Sequence, residues 1–325
     1  MKQFNRLDIA AVVACLLILA IAPYVLRGGY YLSILTTGLI YGIWAASWDF
    51  MSGLTGRINF GQGLSFGIAA YIAAYFNVNH GFSPIVLFPL GVVMALVIAI
   101  AVGYPTLRLR GPYFGLATFA ALIVIQRVVL NLWNITGAEE GISGISALVR
   151  GRVNLYYAVA VISVICIGIL FVLSRSQIGI ILRAIKGNEA TCQAAGINVT
   201  YYKILSLCIS SAIGAVGGVL YAHVQQHVGP DLLSMQLALS VVTMAYIGGV
   251  GSIYGGAIAA IVLTFLVELL RPFGEWRLAA YALLLIAILF VAPKGLIAPA
   301  WNWLSCRFGH GRKYPPMLQT SRDAT

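Results

Sequence analysis

The chain has 325 residues, of which 61% are hydrophobic and only 9% are charged, and its mean hydropathy is +0.94. A soluble domain carries roughly 25% charged residues because it needs a solvated surface, so this composition excludes a soluble globular protein. The net charge of +11 does not indicate nucleic acid, because the Lys and Arg residues lie between and beyond apolar runs, as in membrane proteins.

Apolar runs along the chain predict an all-α polytopic protein embedded in a lipid membrane. A helix that crosses a membrane needs about 20 apolar residues, and it satisfies its own backbone polar groups. Runs of suitable length lie near 9–26, 31–51, 61–76, 84–104, 112–131, 155–173, 203–222, 236–250, 251–270 and 278–293. Because the third run is short and the eighth and ninth touch, we expect about eight to ten spans.

The distribution of Lys and Arg predicts the orientation. If the N-terminus is inside and ten spans alternate, most of these cations fall in the inner loops and the terminal segments. Such a bias is typical of the cytoplasmic side, so we expect both termini in the cytoplasm. We interpret residues 1–305 as one transmembrane domain and 306–325 as a basic polar tail. The run 9–26 is interpreted as an uncleaved span, since cleavage after Ala22 would leave Pro23 at the new N-terminus.

Two glycine-rich stretches, 53–67 and 248–256, interrupt the helical pattern. Each lies in its own half of the chain and adjoins a short apolar run. Paired glycine-interrupted segments in corresponding halves point to a transport path, although small residues also allow close helix packing. The candidate path residues are Asp49, Asn59, Gly61, Gln62, Gly248, Gly249 and Gly251.

Asp49 stands near the inner end of the second run. A carboxylate at mid-membrane costs roughly 2.5–3.5 kcal/mol on insertion scales, so it needs a partner or water. Arg57, across the glycine-rich turn, is the expected partner in a structural ion pair, with contact to a solute as the alternative. Glu268 and Arg271 are three residues apart and predict a second ion pair, at the outer end of the ninth span.

No residues predict catalysis, a metal site or a cofactor. His223 and His227 have the i, i+4 spacing of metal ligands on a helix, but Asp231 is the only acid near them. We therefore expect the His223 ring to lie at the membrane–water interface, at the outer end of the seventh span. The cysteines form no CxxC pair. No Ser/His/Asp or paired-carboxylate constellation comes together on the predicted topology, so we expect a protein that is not an enzyme.

The segment 174–203 is basic and polar, yet it predicts two short helices. Residues 177–186 carry an apolar helical stripe. Asn188 suits the N-cap of a second helix, and Glu189 places negative charge beside the positive end of its dipole. Gly196 fits the position after the last turn. A pair of capped helices in a solvated loop indicates a docking element, with an ordinary amphipathic surface helix as the alternative.

The same segment resembles a known transport motif. Glu189-Ala190 followed by Ala195-Gly196 is similar to the Glu-Ala-Ala…Gly coupling motif of ABC importer permeases, with one more residue between Glu and Gly. Over residues 38–297 the chain resembles the LivM-type permease family of branched-chain amino-acid importers. The blocks that carry this resemblance are 111-GPYFGLATFA-120, 136-TGAEEGISGI-145, 174-SRSQIGIILRAIKGNEATCQAAGINVTYYK-203, 219-VLYAH-223, 246-YIGGVGSIYGG-256 and 268-ELLR-271.

This resemblance implies a permease subunit that carries branched-chain amino acids or a related small polar solute across a bacterial inner membrane. The implied partners are a second related permease chain, two ATP-binding cassette subunits and a periplasmic solute-binding protein. The chain contains no GxxxxGK[ST] phosphate loop, so any ATP hydrolysis belongs to another chain. The expected ATPase-coupling residues are Arg183, Glu189, Ala190, Ala195 and Gly196.

The stretch 48–63 departs from the family pattern. Asp49, Arg57 and Gln62 replace the Asn, Gln and His that are frequent there. This leaves the solute open among branched-chain amino acids, urea, short amides and other small acids. The alternative function is a secondary transporter or channel that works without an ATPase. It is disfavoured because such a protein needs its own ion-binding acids, and Asp49 is the only acid that the sequence pattern predicts to be buried.

Overall fold

The computed structural model describes residues 17–25, 28–109 and 111–276, together with the single residues 283 and 295. The tail, the tenth predicted run apart from residue 283, and the first run apart from 17–25 therefore lie outside the described residues. The helices are α1 (17–25), α2 (Gly29–Trp48), α3 (Gln62–His80), α4 (Pro84–Thr106), α5 (Pro112–Asn131), α6 (Trp133–Thr136), α7 (Arg152–Arg175), α8 (Gln177–Gly187), α9 (Glu189–Ala194), α10 (Val199–Gln225), α11 (Met235–Gly248) and α12 (Tyr254–Leu269).

Four of these helices, α4, α5, α7 and α10, are long and apolar enough to cross a membrane, and α11 and α12 are shorter apolar helices. These helices confirm the prediction of an all-α polytopic membrane protein, apart from the number of spans and their orientation. One small exception to the helical pattern is an antiparallel pair of two-residue strands, β1 (Ile142–Ser143) and β2 (His227–Val228).

Local sequence signals set several helix bounds. Pro84 and Pro112 occupy the first turns of α4 and α5, where a missing backbone N–H breaks no helical hydrogen bond. The hydroxyl of Ser234 caps α11 by accepting a hydrogen bond from the Leu237 amide at 3.2 Å. Gly81 ends α3 in the left-handed conformation, with φ of 66°.

Helix α2 lies at the centre of the molecule and packs against α7, α10, α11 and α12. Glycine permits close packing there, since a Cβ atom at Gly42 would approach the Ala257 carbonyl oxygen of α12 to 3.3 Å. On another side of α2, the Trp44 ring stacks on Phe66 of α3 with 4.1 Å between centroids.

The ends of the helices form two polar faces of different composition. At one, which we call the hairpin end, β1 and β2 pair, and the Asn77 side chain accepts a hydrogen bond from the Ser146 amide at 2.7 Å. At the other, which we call the α9 end, helices α8 and α9 contact the start of α10 and the segment after α2. The break between α11 and α12 also lies at the α9 end.

The chain leaves α2 through a feature that the hydropathy pattern did not predict. Residues Asp49–Gly53 form a single π-helical turn, which widens the end of the helix. After it, residues 54–55 are helical, 56–59 have no regular structure, and 60–61 form a turn that leads into α3 at Gln62. The π turn matters because it determines where Asp49 points.

Candidate functional site

Glu189 is the centre of the α9 end. Its Oε1 atom accepts hydrogen bonds from Arg57 Nε at 3.1 Å and Nη2 at 2.8 Å. Lys203 Nζ lies 2.6 Å from the same oxygen. The two cations come from different elements, the segment after α2 and the first turns of α10. Their side chains are 10% and 6% exposed, against 35% for Glu189. We call this arrangement of Arg57, Glu189 and Lys203 the Glu189 clamp.

The charge state of Glu189 follows from these contacts. Partial burial alone would raise the pKa of the carboxyl group, but the hydrogen bonds from Lys203 and Arg57 outweigh it and lower the pKa below the ordinary value. Glu189 is therefore ionised at neutral pH, and both of its contacts are charge-assisted hydrogen bonds.

The local sequence fixes Glu189 in this position. The Asn188 side chain accepts a hydrogen bond from the Thr191 amide at 3.1 Å, so Asn188 is the N-cap of α9, as predicted. Gly196 takes φ of 80°, which a glycine adopts readily. Of the other predicted coupling residues, Arg183 lies exposed on α8, and Ala190 and Ala195 are exposed on and beside α9.

A second contact ties α8 to the π turn. Lys186 Nζ donates a hydrogen bond to the Gly53 carbonyl at 2.9 Å. Gly53 is itself tightly enclosed, because a Cβ atom there would overlap the Asp49 carboxylate and approach the Gly251 amide to 2.8 Å. A residue larger than glycine at position 53 would therefore displace the Asp49 carboxylate and the Gly251 amide.

The Asp49 carboxylate holds the break between α11 and α12. It is fully buried, and it accepts hydrogen bonds from the Gly251 amide at 2.6 Å and from the Ile253 amide at 2.8 Å. Gly249, Gly251 and Ile253 all have positive φ, of 100°, 88° and 60°. Positive φ is unfavourable for a β-branched residue such as Ile253, so the carboxylate stabilises a strained turn.

The predicted ion pair between Asp49 and Arg57 is therefore wrong. Arg57 instead binds Glu189 and donates to the Leu109 carbonyl. Proximity in sequence suggested the pair, but the π turn directs Asp49 towards the backbone of another segment. The amides at positions 251 and 253 carry no side-chain signal, so the sequence could not indicate them.

The candidate path residue Gln62 is buried between three helices. Its Nε2 donates to the Ser210 carbonyl at 2.9 Å and to Ser47 Oγ at 3.2 Å, and its Oε1 accepts from Ser210 Oγ at 2.9 Å. All of its hydrogen-bonding groups are thus used inside the chain. The network joins α3 to α2 and α10.

Asn59 and Gly61 line a small cavity beside this network. The Asn59 side chain accepts a hydrogen bond from the Gly61 amide at 2.9 Å. The cavity measures about 10 Å³, and Thr118 and Ser211 also line it. A space of this size holds about one water molecule and is too small for an amino acid. Gly248, another candidate path residue, packs directly on the backbone of Gly255 across the α11–α12 break.

At the hairpin end, the two histidines have separate partners. His223 is fully buried, and its Nδ1 lies 2.8 Å from the Ser146 carbonyl. It is a core residue rather than the interfacial ring that the sequence suggested. His227 Nδ1 lies 2.9 Å from Ser143 Oγ across the strand pair. No group of three or more metal-ligating side chains occurs within the part of the chain that the structure describes.

The predicted ion pair of Glu268 and Arg271 is confirmed, with 3.0 Å between the carboxylate and the guanidinium. Tyr30, at the start of α2, contacts both side chains through its hydroxyl. This contact fastens the end of α12 to the beginning of α2.

The comparisons with known proteins agree with these features. The family described as "Branched-chain amino acid transport system / permease component" matches residues 30–293. The high-affinity branched-chain amino acid transport system permease protein LivM of Salmonella typhimurium is 26% identical over 329 residues, covering 91% of this chain and 77% of that protein. LivM of Escherichia coli is 28% identical, covering 87% and 73%. The permease protein LivH of Escherichia coli is 24% identical, covering 81% and 92%.

Proposed function

This chain belongs to the family of branched-chain amino acid transport system permease components, and from that premise we propose how it works. It is a permease subunit of an ATP-binding-cassette importer and not an enzyme, since its relatives are permease proteins. We propose that the solute is a branched-chain amino acid or a related small polar molecule, because the relatives are named for that cargo.

The same premise supports proposals for the membrane, the topology and the partner subunits. We propose a bacterial inner membrane, about ten spans and both termini in the cytoplasm, which makes the α9 end the cytoplasmic face. The proposed partners are a second related permease chain, two ATP-binding cassette subunits and a periplasmic binding protein. The existence of both LivM and LivH relatives supports the pairing with a second, related permease.

The Glu189 clamp is the observation that carries the proposed mechanism. Helix α9 has six residues, too few to be stable by itself. Through Glu189 it is bound to the segment after α2 and to α10, and through Lys186 the preceding helix is bound to the π turn. A movement imposed on α8 and α9 by a partner ATPase would therefore reach α2 and α10 directly.

Asp49 extends this connection to the second glycine-rich stretch. Lys186 binds the Gly53 carbonyl, Gly53 packs directly against the Asp49 carboxylate, and that carboxylate accepts hydrogen bonds from the amides of Gly251 and Ile253. Helices α8 and α9 are thus linked both to the π turn after α2 and to the break between α11 and α12. We propose that Asp49, Gly249 and Gly251 contribute to transport by making these two segments move together rather than by touching the solute.

A coupling measurement tests the proposal. The full importer, with its partner subunits, is reconstituted in proteoliposomes, and solute uptake and ATP hydrolysis are measured together. The variant Glu189→Gln removes the charge that holds Arg57 and Lys203. Because the carboxylate is partly exposed, we expect the substitution to weaken the clamp by about 1 kcal/mol, and the amount of solute transported per ATP to fall about fivefold.

The matched control is Glu268→Gln, which removes an acid from an ion pair at the hairpin end and should leave this ratio unchanged. Assembly of every variant is checked by size-exclusion chromatography. An assembled Glu189→Gln importer with the parent's uptake per ATP would contradict the coupling role. Uptake by this chain alone, without an ATPase, would instead favour a channel or secondary transporter.

A further inference from the structure

A cavity of about 430 Å³ opens beside the Glu189 clamp, at the α9 end. It lies between the segment after α2, the loop that joins α4 to α5, helix α9 and the first turn of α10. Its volume falls in the range of sites for small molecules. The residues that line it are Arg57, Leu107, Arg108, Asn188, Glu189, Ala190, Gln193, Val199, Thr200 and Lys203.

The charges around this cavity do not balance. Its lining includes three cations, Arg57, Arg108 and Lys203, and the single carboxylate of Glu189. Arg57 and Lys203 are nearly buried, yet both bind the same oxygen atom of Glu189. A cation removed from water needs a compensating anion, and here one carboxylate serves two buried cations. The excess positive charge therefore favours a second anion in the cavity.

The remaining lining restricts what that anion is. Leu107 and Val199 are buried apolar side chains, and the side chains of Gln193 and Thr200 can donate hydrogen bonds. Arg108 reaches the cavity from the α4–α5 loop, where it also donates to the Tyr104 hydroxyl at 3.1 Å. Guanidinium groups match the two oxygens of a carboxylate. A small carboxylate with a short apolar body fits both the charges and the walls.

We propose that this cavity is a binding site for a small organic carboxylate. The site is separate from the water-sized cavity beside Asn59, and it does not depend on which solute the importer carries. A carboxylate bound there meets the same cations as Glu189, so it competes directly with the contact that holds α9. Occupancy of the site would thereby weaken the clamp when the carboxylate is abundant.

Equilibrium binding to the full chain in lipid nanodiscs tests this proposal, with 4-methylpentanoate as the probe at constant ionic strength. The same titration with L-leucine shows whether an added ammonium group is accepted, and 3-methylbutylamine serves as the cationic control. We expect saturable binding of 4-methylpentanoate and none of 3-methylbutylamine. Tighter binding of L-leucine would identify an amino acid as the preferred carboxylate, with its ammonium group beside Glu189.

Variants distinguish this cavity from any other site. Arg108→Gln removes a lining cation without touching the clamp and should weaken binding about tenfold, which corresponds to about 1.4 kcal/mol. The control Arg127→Gln changes an exposed arginine of α5 that does not line the cavity and should leave the affinity unchanged. If Arg108→Gln does not fold, Gln193→Trp fills the cavity from the exposed side of α9 and should abolish binding.

Three results would overturn the proposal: no saturable binding of either carboxylate, equal affinities in the parent and both cavity variants, or loss of binding when the ATPase subunits are assembled. The last result would show that the partner protein fills the cavity. Because binding is measured without transport, a failure here leaves the uptake-per-ATP test of the clamp unaffected.

Discussion

Asp49 shows how one carboxylate can organise a helix break through hydrogen bonds to the backbone. The carboxylate accepts hydrogen bonds from two backbone donors, the partly buried amide of Gly251 and the buried amide of Ile253. The residues that donate them occupy a turn that includes three positive φ angles. The carboxylate therefore stabilises the chain by holding this backbone conformation, and its loss should destabilise the turn between α11 and α12.

We predict that Asp49→Ala lowers the stability of the chain by about 3 kcal/mol, since each buried donor left unpaired costs about 1–3 kcal/mol. Asp49→Asn should cost about half as much, because the amide oxygen can still accept one of the two hydrogen bonds. Thermal unfolding of the purified chain in detergent measures both.

Asp231→Asn is the control for these two variants, because Asp231 is exposed near the hairpin end. Its melting temperature should match that of the parent. If Asp49→Ala melted at the parent's temperature, the carboxylate would not be holding the turn. The expected order of melting temperatures is parent, Asp49→Asn, Asp49→Ala.

At the scale of single residues, sequence reasoning succeeded where partners are near in the chain. The cap at Asn188 and the pair of Glu268 and Arg271 were both predicted, because their contacts span three residues. It failed for Arg57, whose partner Glu189 is 132 positions away. Charge alone could not select this pair, since the predicted inner face contains many cations.

At the scale of elements, hydropathy located the helices well. The runs near 84–104 and 112–131 correspond to α4 (Pro84–Thr106) and α5 (Pro112–Asn131). Apolar periodicity and cap residues likewise predicted α8 and α9. The strand pair was missed because it joins segments that are distant in sequence, and the π turn was missed because hydropathy does not distinguish it from the α-helix that precedes it.

The stability of α9 should depend strongly on its cap. Replacing an N-cap Asn by Ala costs about 1 kcal/mol, and a helix of six residues has few other hydrogen bonds to compensate. We predict that Asn188→Ala increases hydrogen exchange of the amides in α9 about fivefold. Mass spectrometry of the exchanged chain in nanodiscs measures this.

Helix α10 supplies the matched control for this prediction. Asn198 caps it in the same way, accepting a hydrogen bond from the Tyr201 amide at 3.0 Å. Since α10 has 27 residues and is packed along much of its length, Asn198→Ala should affect only its first turn. Unchanged exchange of α9 in Asn188→Ala would mean that the Glu189 clamp alone keeps this helix folded.

At the scale of the whole molecule, the polar contacts separate into two sets at opposite ends of the long helices. Helix α2 begins beside Glu268 and Arg271 and ends at Asp49, so it connects the two sets. Helix α10 does the same, from Lys203 in the Glu189 clamp to His223, which is bound to Ser146. Forces applied at one end can therefore reach the other through helices that are packed side by side.

This arrangement predicts that the two ends face opposite sides of the membrane. We expect Ala194→Cys, on α9, to react with a membrane-impermeant maleimide only from the cytoplasmic side. Glu139→Cys, in the exposed loop before β1, should react only from the outside. Both substitutions are made in a chain whose native cysteines are replaced by Ala or Ser, and labelling is compared in spheroplasts and inverted vesicles. Helices α7 and α10 run between the two ends and are long and apolar enough to span the membrane, so the two ends should lie on opposite sides of it. Reaction of both cysteines from the same side would exclude this topology.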